Sequence, residues 1–350
     1  GIEPVVYTVD NPKYPILDAT LENEIPKNIT VLKQPIREPN NILSIFKKKK
    51  TQQSAGFLNP NPTFFGKILQ YIRANYFIPD ARKYWVKPSV NYLKNYLSEN
   101  KIDAVITSGP PHSLHLIGLK LKKELNIKWI SDFRDPWTEI DYFEQLPLTK
   151  KSIQKHQQLE QEVVKKSDAV IVIGKTMREN FSHFSNNVHV ITNGYDNQIN
   201  SEKVILDKKF TITHVGLMNA DRNPIVLWKA ISEICEENND FATDYQVQIV
   251  GKIASEVQKS ITKYNVENVL DLGYVSHQEV TKYQQKTQVL LLSVNNVKSA
   301  KGIITGKIFE YLQAKRPILA IGPASGDLSE ILKETNSGII VGFDDVKSLK

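Results

Sequence analysis

Short apolar runs alternate along this 350-residue chain with longer stretches of helical periodicity. The strand-like runs of the first half are Val5 to Val9, Ile29 to Leu32, Ala104 to Thr107, Trp129 to Ser131, Ala169 to Ile173 and His189 to Ile191. After a polar interval from Asn193 to Lys209 a second series follows: Thr211 to Val215, Val247 to Val250, Val269 to Leu272, Val289 to Ser293, Ile318 to Ala320 and Ile339 to Val341. Helical segments between them include His115 to Leu125, Thr149 to Lys166, Pro224 to Glu237 and Ala254 to Tyr264. Short buried strands separated by helices predict parallel sheets built from right-handed crossovers. Two such series predict an α/β chain of two facing, Rossmann-like, doubly wound domains. The expected bounds are residues 1–195 and 209–350, with a linker over 196–208.

In open α/β sheets ligands sit beyond the carboxyl ends of the strands, which selects the loops to read. Gly302 to Ala320 reads GIITGKIFEYLQAKRPILA, a glycine-bearing loop, a helix and a strand begun by Pro317. Lys307, Glu310 and Tyr311 stand at i, i+3 and i+4 and are expected on one face, with Ile308 and Leu312 turned to the core. A helix start preceded by glycine offers free N–H groups and a positive dipole end. A cation, a carboxylate and free amides suit a sugar nucleotide; Thr305, Gly306 and Lys307 would take the diphosphate and Glu310 the ribose. Alone, the same residues also describe a surface helix with a solvated Lys–Glu pair.

Two loops of the first half carry candidate chemistry. Thr107-Ser108-Gly109-Pro110-Pro111-His112-Ser113 follows one predicted strand and opens a helix, with hydroxyl and amide donors and a histidine at the helix start. Asp132-Phe133-Arg134-Asp135-Pro136-Trp137 follows the next. Two carboxylates flanking an arginine past a buried strand are costly unless paired or used, so either a self-satisfied ion-pair network or a site is expected.

The stretch TSGPPHSLHLIGLKLKKELNIKWISDFRDPW resembles the N-terminal domain of bacterial family 4-like glycosyltransferases of the GT-B fold, often of the surface-polysaccharide type. The Gly302–Ala320 segment resembles the donor-binding region of the same family. That region carries two glutamates separated by seven residues; Glu310 matches the second, while Gly302 stands in the place of the first. The resemblance implies a retaining transferase moving a sugar from a nucleotide-diphosphate-sugar to a glycan or polyprenyl-linked acceptor. It implies His112, Arg134 and Asp135 as polar groups around the reacting centre. It also places Gly216, Arg222, Lys252 and Tyr274 on the donor, together with Thr305, Gly306, Lys307 and Glu310. Leu217 occupies the position where the family has a diphosphate-binding arginine, and Lys252 is the expected replacement. Against the family's first strand, helix and glycine-rich loop, the chain is expected to lack its start, because Gly1 leads almost at once into IEPVVYTV. A catalytically silent sugar-nucleotide-binding or scaffold protein of this fold, and a nucleotide-sugar epimerase, stay open as alternatives.

Composition narrows the setting. Cys235 is the lone cysteine, which excludes an intramolecular disulfide framework and a cysteine metal cluster. The histidines are scattered and no DxD-like element follows a strand, so no metal and no other cofactor is expected. No apolar run reaches the ~18 residues of a spanning helix. The net charge of +7 favours an anionic partner. The basic residues gather at Phe46 to Lys50 and at Arg73, Arg82, Lys83 and Lys87, interleaved with Phe57, Phe64, Phe65, Tyr71, Tyr76, Phe77, Tyr84 and Trp85. That pattern fits anionic lipid headgroups, or a solvated loop followed by a helix packing its aromatics inward. No helix-turn-helix, zinc, RNP or KH signature accompanies it, so no nucleic acid is expected. The expected location is cytoplasmic, with peripheral contact at the inner face of the plasma membrane.

Overall fold

The computed structural model describes residues 1–10, 25–36, 63–195 and 204–350, apart from the side chains of His277 and Gln278. Lys47 to Lys50, Phe46 and Phe57 lie outside the described residues, as does most of the expected linker. The chain forms two compact units, Gly1–Ile171 with Phe181–His189 and Val172–Asn180 with Val190–Lys350.

In the first unit β1 (Val5–Val9) pairs in parallel with β2 (Thr30–Gln34). Helices α1 (Phe64–Tyr76) and α2 (Val86–Glu99) follow. Next come β3 (Val105–Gly109), α3 (Ser113–Leu125), β4 (Trp129–Phe133), α4 (Lys150–Lys166), β5 (Ala169–Val172) and β6 (Val188–Val190); α5 (Lys175–Ser182), between the last two, belongs mostly to the second unit. Strands β3 to β6 form a separate sheet in chain order. Strand β4 runs two residues past its predicted end because Asp132 and Phe133 continue the ladder opposite Ser108 and Gly109.

Helix α3 is placed by close approach to β4. A Cβ on Gly118 would lie 2.1 Å from Trp129 Nε1, so only glycine permits this contact. The Trp129 indole N–H donates to Thr107 Oγ1 at 2.9 Å, satisfying a buried polar group inside the same packing. Ile117 and Leu121, one turn apart, join Trp85, Val86 and Val90 in the core, and Tyr7 stacks on Trp85 at 5.1 Å. The helix ends at Asn126, whose left-handed φ of 53° suits asparagine.

Helix α1 departs from the inward-packing alternative. None of its residues is buried, and Phe64, Phe65, Ile68, Tyr71, Ile72 and Tyr76 are exposed, Phe64 at 81%. The helix is instead held by Asn75, which donates to the Pro147 carbonyl and accepts from the Thr149 N–H, both at 2.8 Å.

The second unit holds β7 (Phe210–Val215), α6 (Ile225–Glu237), α7 (Asn239–Asp244), β8 (Tyr245–Val250), α8 (Ser255–Lys263) and β9 (Val269–Gly273). It continues with α9 (His277–Lys286), β10 (Val289–Ser293), α10 (Lys307–Ala314), β11 (Ile318–Ile321), α11 (Asp327–Thr335), β12 (Gly338–Val341) and α12 (Val346–Leu349). The strands lie in the order β12-β11-β10-β7-β8-β9, all pairs parallel. The chain first moves outward one way from β7 and then returns to lay β10 on its other side. The crevice beyond β7 and β10 is therefore the switch point at which doubly wound sheets bind ligands. Trp228, Val247, Ile249 and Leu291 are fully enclosed in the core. Each unit is a Rossmann-like α/β layer structure.

Tyr311 does not share the face of Lys307 and Glu310. It is fully buried; the Val215 N–H donates to its hydroxyl at 3.0 Å, and the hydroxyl donates to the Leu291 carbonyl at 3.3 Å. Those two bonds tie α10 to the end of β7 and the middle of β10. Tyr311→Phe strands the Val215 N–H and is expected to cost about 1–3 kcal/mol. A lowered urea midpoint by circular dichroism checks this, and an unchanged midpoint contradicts the anchoring role.

Candidate functional site

At the switch point the sharp exit of β7 depends on Gly216. Its φ is +102°, and a Cβ there would stand 2.6 Å from Lys307 Cε and 2.8 Å from Nζ. Gly251, with φ +126°, ends β8 against the Gly216 carbonyl, where a Cβ would lie 2.5 Å away. Two glycines back to back thus let the strand ends close up and leave the Lys307 ammonium lying directly on the turn.

Lys307 is the first residue of α10, with Gly306 as the preceding cap. Burial, followed by the charge of Arg222, pushes its ammonium down to about 7, with Glu310 pulling the other way. Arg222 closes a short 3-10 turn capped by Asn219, whose side-chain oxygen accepts the Arg222 N–H at 2.9 Å. Glu310, one turn along α10, accepts a hydrogen bond from the buried Gln284 Nε2 at 3.0 Å. Thr305 Oγ1 is buried with no hydrogen-bond partner, the condition of a group prepared for a ligand.

Gly216, Arg222, Thr305, Gly306, Lys307 and Glu310 therefore gather at one crevice. Lys252, beside Gly251, is exposed, and its carbonyl accepts the Met218 N–H at 3.0 Å. Tyr274 follows β9 and is 92% exposed. Sequence reasoning missed His214 and Gln284, which reach Lys307 and Glu310 from other elements. Their signal is a polar residue inside an otherwise apolar or helical pattern. At Gly302 a Cβ would meet Thr176 at 3.2–3.3 Å. Thr176 is itself fixed by Asp327, whose carboxylate accepts both its N–H at 3.0 Å and its hydroxyl at 2.9 Å. The place of the family's first glutamate is thus backed by a side chain that cannot easily move.

In the first unit the residues after β3 and β4 meet. His112 caps α3, is buried, and stacks flat on Trp137 with ring centroids 4.9 Å apart. Burial and the neighbouring His156 hold its proton affinity down to about 4, against a backbone hydrogen bond at Pro136 that raises it. His112 is therefore neutral at neutral pH, and its Nδ1 is buried without a partner. Trp137 Nε1 donates to His156 Nδ1 at 2.9 Å, and burial lowers His156 to about 4 as well.

Arg134 Nε donates to both oxygens of Asp132 at 2.8 and 2.9 Å, and Ser108 Oγ donates to Asp132 at 2.8 Å. Arg134 thus forms the paired arrangement anticipated for this loop. Asp135 is exposed at the surface of the same loop, and partial burial followed by the Asp141 charge raises its carboxyl. A cavity of about 330 Å³ opens beside these residues, lined by Asp80, Arg82, His112, Trp137, Tyr142 and His156 among others. Asp80 is spent on structure: its carboxylate accepts the N–H groups of Arg82 and Ser113, both at 2.8 Å.

Residues 55–198 match the family model described as Glycosyltransferase Family 4. No curated protein matches the chain by sequence. A mutant of S. aureus TarM, solved with fondaparinux, alpha-GlcNAc-glycerol and UDP, is 17% identical with a TM-score of 0.53, covering 75% of this chain and 49% of its own. The chain therefore spans about half the length of that protein. The structure of trehalose-6-phosphate from E. coli bound with UDP-2-fluoro glucose is 11% identical with a TM-score of 0.58, covering 99% of this chain and 89% of that one. An alpha,alpha-trehalose 6-phosphate synthase from Burkholderia multivorans is 9% identical with a TM-score of 0.51, covering 80% and 69%. The likeness to these structures shows the fold, two Rossmann-like α/β units of the GT-B kind, and the match to the glycosyltransferase family 4 model is confined to residues 55–198.

Proposed function

We propose that the chain is a retaining glycosyltransferase that moves a sugar from a nucleoside-diphosphate sugar to a glycan or lipid-linked acceptor, in cell-surface polysaccharide synthesis, without a divalent ion. The observation that carries this reading is the meeting of Lys307 and Arg222 on the Gly216 turn at the switch point. Two cations in one partly dry crevice favour a diphosphate, and Glu310, held by Gln284, is placed for ribose hydroxyls. The ligands printed for two neighbours, UDP and UDP-2-fluoro glucose, are of that class.

In the reaction the bond between the sugar's anomeric carbon and the β-phosphate oxygen breaks while the acceptor oxygen forms the new one. Negative charge grows on the departing diphosphate, where Lys307 and Arg222 stabilise it. The acceptor's proton passes to a phosphate oxygen, so no protein carboxylate is needed as nucleophile. The cavity of the first unit is the acceptor side: aromatic walls at Trp137 and Tyr142 suit a sugar ring, and Arg82 adds a cation. Helix α1, with exposed aromatics beside Lys67 and Arg73, rests on an anionic membrane surface, so that the protein works peripherally at the cytoplasmic face. Among the described residues no helix is long and apolar enough to cross a membrane.

Glu310→Ala is expected to weaken donor binding by roughly 10- to 150-fold, the value of a hydrogen bond to a charged group. Calorimetric titration with UDP-, GDP-, ADP- and dTDP-sugars reads it; wild-type affinity for every donor that binds would remove Glu310 from the site. The pH dependence has a definite sign. Lys307 is poised near 7 in the free protein, facing His214, Arg222 and Glu310, and a bound diphosphate raises it, so binding takes up a proton. Donor affinity should be level below pH 7 and fall above it, approaching tenfold per pH unit; affinity that rises with pH contradicts this. Replacing Phe64 and Phe65 together by Ser should lower co-sedimentation with phosphatidylglycerol vesicles roughly tenfold or more, given the apolar area lost. Unchanged sedimentation would leave α1 with no membrane role.

A further inference from the structure

We infer that His214 is a positioning residue for Lys307: a neutral imidazole that accepts a hydrogen bond from the lysine's ammonium and holds it on the Gly216 turn. The inference rests on the donor-site reading above and adds to it a residue that neither the family motif nor the sequence pattern assigns.

His214 is the penultimate residue of β7 and is fully buried. Its Nδ1 lies 3.1 Å from the Leu291 carbonyl oxygen on the neighbouring β10. A carbonyl can only accept, so this contact assigns the hydrogen to Nδ1 and the lone pair to Nε2. That lone pair faces Lys307 Nζ at 3.5 Å. The ring cannot take a second proton at neutral pH, because burial first, then the charges of Lys307 and Arg222, hold it down to about 3 against the backbone at Leu291 and Leu217. A permanently neutral acceptor is thus built into the floor of the crevice.

The charged groups around Lys307 make such an acceptor useful. Arg222 repels it from the 3-10 turn after β7, and Glu310 attracts it from one turn along its own helix. Without a fixed acceptor below, the flexible lysine stem would swing toward Glu310, the carboxylate proposed for the ribose. The imidazole holds the ammonium on the Gly216 side and leaves Glu310 to its bond from Gln284. Lys307 and Glu310 can then serve different parts of one ligand.

The test is a double-mutant cycle on the full chain. Wild type, His214→Phe, His214→Gln, Lys307→Met and the His214→Phe/Lys307→Met pair are titrated calorimetrically with UDP, and with ADP, GDP and dTDP in parallel. His214→Phe keeps a ring of similar size and removes the acceptor; it is expected to weaken nucleotide binding about tenfold. No further loss is expected in the Lys307→Met background, and His214→Gln, whose amide oxygen can accept, should recover most of the affinity. Equal losses in both backgrounds would overturn the inference, since they would mark a merely structural histidine. A second readout needs no ligand: acetylation of the Lys307 amine by acetic anhydride, followed against pH by mass spectrometry. Removing the acceptor destabilises the ammonium, so labelling of His214→Phe and its titration midpoint should shift to lower pH, with His214→Gln close to wild type. An unshifted profile in folded His214→Phe overturns the inference whatever nucleotide binding does. If instead Lys307→Met binds every nucleotide as wild type does, the donor-site reading fails, and the labelling profile still decides the His214–Lys307 pairing.

Discussion

Lys307 and Arg222 repel one another in a corner partly closed to water, and the second unit is arranged so that neither escapes that repulsion. The lysine is fixed at its base because α10 is nailed down: Ile308 is in the core, and the Tyr311 hydroxyl spans the Val215 N–H and the Leu291 carbonyl. It is fixed at its tip by the bare Cα of Gly216 and the imidazole of His214. Arginine is held on its own capped turn. An ammonium so placed loses proton affinity, and only a nearby anion restores it. The strand order, the paired glycines and the buried tyrosine all serve one electrostatic arrangement at the reversal of the sheet.

The first unit handles polarity in the opposite way. Beside its cavity, among the described residues, His112, His156, Arg134 and Asp80 are neutralised or bonded rather than set against one another. His112 and His156 are kept uncharged by burial and sit against Trp137, one stacked and one hydrogen-bonded, so that they behave as aromatic packing with polar edges. Arg134 is committed to Asp132, and Asp80 to two backbone N–H groups. What remains beside them is a cavity with stiff aromatic walls. Such walls select by shape and ring faces more than by charge.

The fold was legible because strands of parallel sheets read as short apolar runs, most completely in β7, β8, β10 and β11, and twelve runs stand where the strands are. The crevice was legible where backbone demands a residue type, as at Gly216, or where a helix start carries charge, as at Lys307. Tyr311 was misplaced for a geometric reason: at about 100° per residue it lies some 40° from Lys307 on one side while Glu310 lies some 60° away on the other. The boundary between core and crevice runs between them, and spacing alone does not draw it. The Asp132–Arg134 pair follows from extended backbone, in which residues two apart share a face: β4 ends at Phe133, and the Arg134 N–H still donates to the Gly109 carbonyl at 2.9 Å. His214 and Gln284 stand out locally only as polar residues in an apolar strand and a helix, which does not say what they touch. Their partners stand on another element of the fold, and only the packing of sheet and helices brings them together.

The contact between Gly302 and Thr176 carries a consequence for how such chains diverge. Thr176 is locked by Asp327, and the bare Cα of Gly302 fits against it with no room to spare. A side chain at 302 must push Thr176 back by a few tenths of an ångström, and a residue without a hydroxyl at 176 forfeits one bond to Asp327 while keeping the one from its backbone N–H. The three positions, brought together from distant stretches of the chain, are mechanically coupled. A change at 302 is therefore felt at 176 and passed on to 327, so what a carboxylate at 302 does depends on the residue that stands at 176.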